Sequence, residues 1–363
     1  MAIRFAAPGF IAALLAFAML ATARADDAPP PQDHPAGAVS GQKSGGRAAA
    51  PASPAAAELH KLPPDSTTKQ TLALPGRTLA FSATAGSIRL FDGKGEPQAD
   101  IAYTAYQLDG ADPATRPVTF LFNGGPGAAS AYLQLGAVGP WRLAINGDAG
   151  IPSASPDLQP NAETWLDFTD LVFIDPVGTG YSRFVATGDD VRKRFFSIDG
   201  DVNAMALSIR RWLEKSGRLL SPKFVAGESY GGIRGPKIVR NLQVEQGVGV
   251  KGLVLVSPVL DFREFTGSSL LQYVASLPTM AAVARETRGA GTRADMADVE
   301  NYARGDFLLD LARGEADTAA TNRLADKVAA LTGIDQGLSR RLAGRFDVIE
   351  FRREFDRKNG KVT

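Results

Sequence analysis

Four short runs of almost entirely apolar residues stand out along the chain, at residues 118–122, 171–174, 224–226 and 253–256. Runs of this length, bounded by glycine, proline and polar residues, are typical of strands that are buried on both faces. Strands of that kind occur mainly in parallel sheets whose two faces are covered by helices. The pattern therefore predicts a mainly parallel sheet.

Other segments show the periodicity of half-buried strands and of helices. Thr78–Leu90 and Asp100–Leu108 alternate apolar and polar residues on either side of the turn at Asp92–Gly95, which predicts an antiparallel pair. A helix is predicted before Gly217, because one helical face collects Val202, Met205, Ala206, Ile209, Trp212 and Leu213.

The first 25 residues have the pattern of an export signal. Arg4 supplies the positive charge, Phe10–Ala21 is an apolar run too short to cross a bilayer, and Ala23–Ala25 is a small-x-small cleavage site. An uncleaved signal anchor is the alternative interpretation. Outside this segment, the sequence has no stretch of roughly 20 apolar residues, so no stable membrane anchor is expected.

Composition divides the remainder into three segments. Residues 26–67 are rich in Ala, Pro and Gly and predict a disordered linker. Residues 68–265 contain the predicted strands and form the predicted core. Residues 266–363 show only helical periodicity, which recurs at Leu270–Ala281, Met296–Leu311 and Leu324–Leu342.

Charge and cysteine content narrow the functional classes. The 40 Lys and Arg residues balance the 39 Asp and Glu residues, so neither nucleic acid nor a polyanionic surface is indicated as a partner. The chain has no cysteine and can form no disulfide. The export signal predicts an exported protein, periplasmic or secreted, whose stability must then come from its core without disulfides.

The strongest chemical motif is the pentad Gly227-Glu228-Ser229-Tyr230-Gly231. A strand-like run precedes it and a helical pattern follows it, which is the context of a Gly-x-Ser-x-Gly nucleophile elbow. Small residues flank the serine in such a turn because strand and helix backbones pass close together. A single match of this kind is also a common accident.

Two further motifs follow predicted strands. The first, Asn123-Gly124-Gly125-Pro126-Gly127, can offer the backbone N–H of Gly125 to an oxyanion, together with the N–H of Tyr230, the residue after Ser229. A tight turn that needs positive φ explains the same glycines. Residues 175–182, Asp-Pro-Val-Gly-Thr-Gly-Tyr-Ser, are interpreted as a structural loop that lines the pocket rather than as a source of direct chemistry.

The three motifs, in this order and each after a buried strand, resemble the serine carboxypeptidase family of carboxypeptidase Y and cathepsin A, and its bacterial branch most closely. The resemblance covers roughly Gln70–Asp261, and the helical C-terminal segment resembles the cap insertion of the family more loosely. It implies an α/β-hydrolase fold with a helical cap, and proteolysis from the peptide C-terminus without metal or cofactor.

Individual roles follow from the same resemblance. It implies that Ser229 is the nucleophile, that the N–H groups of Gly125 and Tyr230 form the oxyanion hole, and that Asn123 and Glu228 hold the C-terminal carboxylate of a peptide substrate. A glutamate binds a carboxylate only when it is protonated, which fits the acidic optimum typical of the family. The alternative for Glu228 is that it only fills the variable position of the elbow.

The chain departs from the family pattern at several positions. Leu121 stands where the family has tryptophan, and the position of a second glutamate falls near Ala137. Ala128-Ala129-Ser130 replaces a Cys-Ser-Ser segment. Strict carboxypeptidase specificity is therefore open.

The largest departure concerns the general base. In the hydrolase fold the acid and the histidine follow the serine, but the only two histidines, His34 and His60, precede it. Asp261 could imitate the triad acid of some hydrolases, or could simply end its segment. We therefore expect a C-terminally truncated form that lacks the final strands and the triad His and Asp, and that is inactive or nearly so.

Three functions remain open from the sequence. The chain is a fragment of an active exported peptidase, a degenerate relative that binds peptides without turnover, or a hydrolase similar to proline iminopeptidases. The last class usually has histidine before the paired glycines, where this chain has Asn123.

Overall fold

A computed structural model describes residues 61–143, 157–265, 269–289 and 292–358. The chain divides into two compact units, one up to Leu260 and one from Asp261. The predicted export signal, and the predicted linker as far as residue 60, lie outside the described residues.

The first unit contains ten strands within the described residues. They are β1 (Ser66–Leu74), β2 (Arg77–Phe91), β3 (Pro97–Leu108), β4 (Val118–Phe122), β5 (Trp141–Leu143), β6 (Leu158–Pro160), β7 (Asp170–Ile174), β8 (Arg183–Phe184), β9 (Lys223–Glu228) and β10 (Gly252–Val256).

Eight of these described strands form one mixed sheet, in the order β1-β2-β3-β7-β4-β9-β10 with β8 beside β3. The half from β7 to β10 is parallel, as the apolar runs predict. The half from β1 to β7 is antiparallel, and it contains the predicted pairing of β2 with β3. The remaining two strands, β5 and β6, form a separate hairpin that the sequence pattern did not predict.

Burial of the parallel strands agrees with the prediction except at one end. Every residue of β4 and β7 is buried. Strand β10 is only half-buried, so its prediction as a strand buried on both faces is wrong. The reason is its place in the sheet, because β10 pairs with β9 alone among the described strands.

Three α-helices accompany the sheet in the described part of the first unit: α1 (Asp189–Phe195), α2 (Ile198–Lys215) and α3 (Gly231–Val244). The predicted helix before Gly217 is α2, and Gly217 has the positive φ of 65° that favours glycine. Side chains of α2 and α3 pack with Phe120 and Val225 in one core cluster. A second cluster contains Leu121 and Phe173, which point to the opposite face of the sheet.

The second unit is helical, as predicted. Its helices are α4 (Leu270–Glu286), α5 (Ala297–Tyr302), α6 (Leu308–Arg313), α7 (Thr318–Thr332), α8 (Gln336–Arg341) and α9 (Val348–Lys358). The predicted helix over 324–342 is interrupted, because Gly333 ends α7 in the left-handed conformation. The predicted helix over 296–311 is also interrupted, at a kink whose backbone at Gly305 is non-helical.

No helix within the described ranges is long and apolar enough to span a membrane. The mixed sheet, with α2 and α3 packed on it and with α3 starting directly after β9, has the architecture of the α/β-hydrolase fold. This confirms the predicted fold class.

Candidate active site

Ser229 lies on the turn between β9 and α3, as the pentad predicts. Its φ is 57°, in the left-handed region that a serine rarely occupies, which is the strained backbone of a nucleophile elbow. A Cβ on Gly227 would come within 2.9 Å of the Gly231 carbonyl oxygen. A Cβ on Gly232 would come within 2.5 Å of the Val259 carbonyl oxygen. Only glycine therefore fits at positions 227 and 232, whereas a Cβ on Gly231 would come no closer than 3.7 Å to a neighbouring atom.

The glycine loop that follows β4 lies directly against this elbow. A Cβ on Gly124 would be 2.4 Å from the Tyr230 backbone nitrogen and 2.8 Å from the Ser229 Cβ. Gly125 and Gly127 have φ of 103° and 105°, and the Gly125-Pro126 peptide bond is cis. The two backbones that carry the predicted oxyanion donors, Gly125 and Tyr230, thus belong to segments in direct contact.

Asn123 and Glu228, the predicted carboxylate-binding residues, are buried and bonded to each other. Glu228 Oε2 accepts hydrogen bonds from Asn123 Nδ2 at 3.1 Å and from the Gly124 N–H at 3.3 Å. Asn123 Oδ1 in turn accepts from the Leu133 N–H at 3.1 Å. The structure therefore brings together Asn123, Glu228 and the glycine loop beside Ser229.

Arg234 supports this cluster from α3, and the sequence analysis did not identify it. Its side chain is 1% exposed, and its Nε lies 2.7 Å from Asp201 Oδ2. Its Nη1 donates to the Asn123 carbonyl oxygen at 2.8 Å, and its guanidinium lies 4.8 Å from the centre of the Tyr230 ring. Burial, and then the negative charge of Asp201, raises the pKa of Tyr230 to about 12. The sequence signal that could have identified Arg234 is a charged residue within a helix of periodically spaced apolar residues.

The loop after β7 contacts the glycine loop through Asp175. Its carboxylate accepts from the backbone N–H of Ser130 at 2.9 Å and from that of Tyr181 at 3.1 Å. A Cβ on Gly180 would be 2.1 Å from Asp175 Oδ2 and 3.0 Å from the Ala129 Cβ. Burial raises the pKa of Asp175, although both hydrogen bonds oppose that shift.

Two of the departures from the family pattern, Leu121 and Ala137, belong to the second core cluster or pack against it. Leu121 is fully buried there, and Ala137 packs against the same cluster. The pKa of Tyr132 is raised first by burial and then by the negative charge of Glu228.

The structure shows no histidine within the described residues, because His34 and His60 both lie outside them. Asp261 forms local interactions, accepting from the Arg263 backbone N–H at 2.9 Å and pairing with the Arg263 guanidinium at 2.5 Å. Asp261 thus stands at the beginning of a short 3₁₀ helix at Phe262–Phe265. In the described part of the chain, no cluster of three or more potential metal ligands occurs.

Comparison with known proteins gives concordant matches. The serine carboxypeptidase family model matches residues 80–285, more than half of the chain. The chain is 27% identical over 175 residues to serine carboxypeptidase-like 33 of Arabidopsis thaliana, a match covering 45% of this chain and 34% of that protein. It is 34% identical over 170 residues to the pheromone-processing carboxypeptidase KEX1 of Leptosphaeria maculans, covering 42% of this chain and 24% of that protein.

Among solved structures, Kex1(delta)p, a prohormone-processing carboxypeptidase from Saccharomyces cerevisiae, aligns with a TM-score of 0.43 and 18% identity. That alignment covers 69% of this chain and 53% of the other. The chain thus spans less than half of the length of the curated relatives cited above. By the family model and the motif residues gathered around Ser229, this chain belongs to the serine carboxypeptidase family.

Proposed function

We propose that this chain binds peptides by their free C-terminal carboxylate and presents their last peptide bond to Ser229. The observation that supports this proposal is the buried Glu228 carboxylate, bonded to Asn123 and to the Gly124 N–H immediately before the elbow serine. When the terminal carboxylate of a substrate bonds to Asn123 and Glu228, the carbonyl carbon of its last peptide bond is within reach of Ser229, the residue after Glu228.

The chemistry proposed is acyl transfer. Ser229 Oγ attacks the last peptide carbonyl, and the N–H groups of Gly125 and Tyr230 stabilise the negative oxygen that develops. The C–N bond then breaks as the nitrogen of the C-terminal residue takes up the proton that Ser229 lost to a general base, the free amino acid leaves, and water hydrolyses the acyl-enzyme. The residues present need neither a metal nor an organic cofactor for these steps.

Carboxylate recognition at Glu228 requires one proton. Two ionised carboxylates at hydrogen-bond distance repel each other, so the ligand and Glu228 must share a proton. The side chain of Asn123 contributes an uncharged amide to the site. Binding should therefore tighten as pH falls.

Turnover requires a base that accepts the Ser229 proton. The sequence has no histidine after Ser229, so we propose that the chain on its own binds peptides but hydrolyses them very slowly. We further propose that the protein is an exported member of the bacterial branch, with its N-terminus at Asp26 after cleavage.

A binding experiment tests the proposed recognition. Isothermal titration with benzyloxycarbonyl-Phe-Leu should show tighter binding at pH 4.5 than at pH 7, and the C-terminal amide of the same peptide should not bind. Glu228→Gln should remove the pH dependence, because an amide donates without a shared proton. Glu214→Gln, at an exposed position on α2, is the matched control. Equal affinity for acid and amide would exclude the carboxylate site.

A turnover experiment tests the missing base. Release of leucine from the same peptide should stay below about 1 s⁻¹, since losing a triad member removes most of the acceleration of such enzymes. Ser229→Ala serves as the control. Faster release that disappears in the alanine variant would refute the proposed inactivity, because it would require a base elsewhere in the chain.

A further inference from the structure

The glycine loop, residues 124–130, carries the Gly125 N–H, which the proposed oxyanion hole requires in a fixed direction. Gly125 and Gly127 both have φ above 100°. Glycine loses more conformational freedom on folding than any other residue, so such a loop needs bonds at both of its ends. Glu228 fixes the first end through the Gly124 N–H. The second end is at Ser130.

Two contacts fix that second end to strand β7. The Ser130 N–H donates to Asp175 Oδ1 at 2.9 Å, and the Ser130 hydroxyl donates to the Ile174 carbonyl oxygen. The other oxygen of Asp175 accepts from the Tyr181 N–H at 3.1 Å. One carboxylate thus bonds to the backbones of two different loops.

The setting of Asp175 indicates that these bonds are its role. The side chain is half-buried, and within the described ranges it forms no ion pair with a lysine or arginine. Gly180 packs on its Oδ2 so closely that a Cβ would come to 2.1 Å. Hydrogen bonds to an ionised acceptor are roughly twice as strong as bonds between neutral groups. A half-buried carboxylate with no cation bonded to it is therefore stabilised by the two loops that it joins.

We propose that Asp175 is a positioning residue that, together with Glu228, holds the glycine loop at both ends and so sets the direction of the Gly125 N–H. Glu228 acts at Gly124, one residue before Gly125, and Asp175 acts at Ser130, five residues after it. The proposal rests on the proposed function only in assigning a ligand to the Gly125 N–H.

Hydrogen exchange of single backbone amides tests the positioning directly, without any ligand. Asp175→Asn keeps the shape of the side chain but places an amide where a second acceptor is needed. We expect exchange at the hydrogen-bonded amides of Gly124 and Ala128, on either side of Gly125, to accelerate at least tenfold, although neither amide bonds to Asp175. Asp92→Asn is the matched control, because Asp92 also accepts from two backbone N–H groups, those of Lys94 and Glu96, in a turn away from the site. It should accelerate exchange only within its own turn.

Two further variants guard against a failure of Asp175→Asn to fold. Asp175→Ser leaves one acceptor, and Gly180→Ala displaces the carboxylate without removing it. The same acceleration at Gly124 and Ala128 in either variant supports the proposal. Unchanged exchange at both amides in a folded Asp175 variant overturns it. Unfolding of all three variants also overturns it, since Asp175 would then be a general structural residue.

A binding measurement separates this inference from the proposed function. Benzyloxycarbonyl-Phe-Leu should bind Asp175→Asn about tenfold more weakly than it binds the wild type or Asp92→Asn. Accelerated loop exchange with no peptide binding by the wild type would refute the proposed function and leave the positioning role supported. Normal peptide binding by Asp175→Asn, with unchanged exchange at Gly124 and Ala128, would refute the positioning role alone.

Discussion

Replacing Arg234 with methionine should strongly destabilise the first unit. Methionine keeps the length of the side chain and its contact with the Tyr230 ring, but it removes the partner of Asp201. Removing one member of a buried ion pair costs about 3–5 kcal/mol, because the other charge stays buried without compensation. The Arg234 side chain is 1% exposed and that of Asp201 is 12% exposed, so the pair is of this buried kind.

Two local features set the expected magnitude within that range. The Asn123 carbonyl oxygen loses the Arg234 hydrogen bond, which adds to the cost by about 1 kcal/mol or more. Asp201 retains a hydrogen bond with the Tyr230 side chain, which reduces it. We therefore expect a loss of about 3–4 kcal/mol, a large part of the roughly 5–15 kcal/mol by which domains are stable.

Urea unfolding followed by tryptophan fluorescence measures this loss. Trp212 is buried in the core cluster beside Phe120, so its emission reports on the first unit. Lys69→Met is the control, because Lys69 is 72% exposed in its pair with Asp109 and such pairs contribute about 1 kcal/mol or less. The double variant Arg234→Met with Asp201→Asn should recover part of the loss. If Arg234→Met costs no more than Lys69→Met, the reasoning from the buried pair is wrong.

Two further predictions concern the site. Gly124→Ala should abolish peptide binding and cost about 1–3 kcal/mol in urea unfolding, because its Cβ would lie 2.4 Å from the Tyr230 nitrogen; Gly93→Ala, with open space around its Cβ, should leave both unchanged. The raised pKa of Asp175 means that the folded state binds its proton more tightly, so stability from this group is present at low pH and is lost as pH rises through the folded pKa. Urea midpoints measured from about pH 3 to pH 7 should therefore fall with rising pH more in the wild type than in Asp175→Asn. The pKa of Asp92 is lowered first by its backbone hydrogen bond with Glu96, so Asp92→Asn should change the pH dependence of the urea midpoint in the opposite direction to Asp175→Asn. Equal slopes in the wild type, Asp175→Asn and Asp92→Asn would contradict this account.

The sequence predicted those segments in which one pattern of apolar and polar residues dominates. The all-apolar runs predicted β4 and β7, and the alternating segments predicted the pairing of β2 with β3. It did not predict the hairpin of β5 and β6 or the two-residue strand β8, because strands of two or three residues are too short to show a period.

The proximity of the candidate residues was predictable from the sequence, but their supporting contacts were not. The motif order selected Ser229, Asn123 and Glu228 as candidates because each stands at a fixed place within a short motif. Arg234 and Asp201 lie 33 residues apart, and no local pattern reports a contact between two helices. Asp175 was assigned to a structural loop, and its contact with Ser130 depends on which strands are neighbours.

Strand register explains why three distant motifs meet. Phe122 of β4 stands opposite Gly227 of β9, and Leu121 of β4 stands opposite Phe173 of β7. One residue after Phe122 and Gly227, Asn123 therefore stands opposite Glu228. Two residues after Leu121 and Phe173, Asn123 stands opposite Asp175.

Because β7, β4 and β9 are parallel neighbours, one carboxylate, one amide and another carboxylate therefore emerge in a row at the same edge of the sheet. The hydrogen bonds at both ends of the glycine loop follow from this alignment. A shift of one residue in either pairing would turn the side chains of a whole strand to the other face, so the register that buries the core also assembles the site.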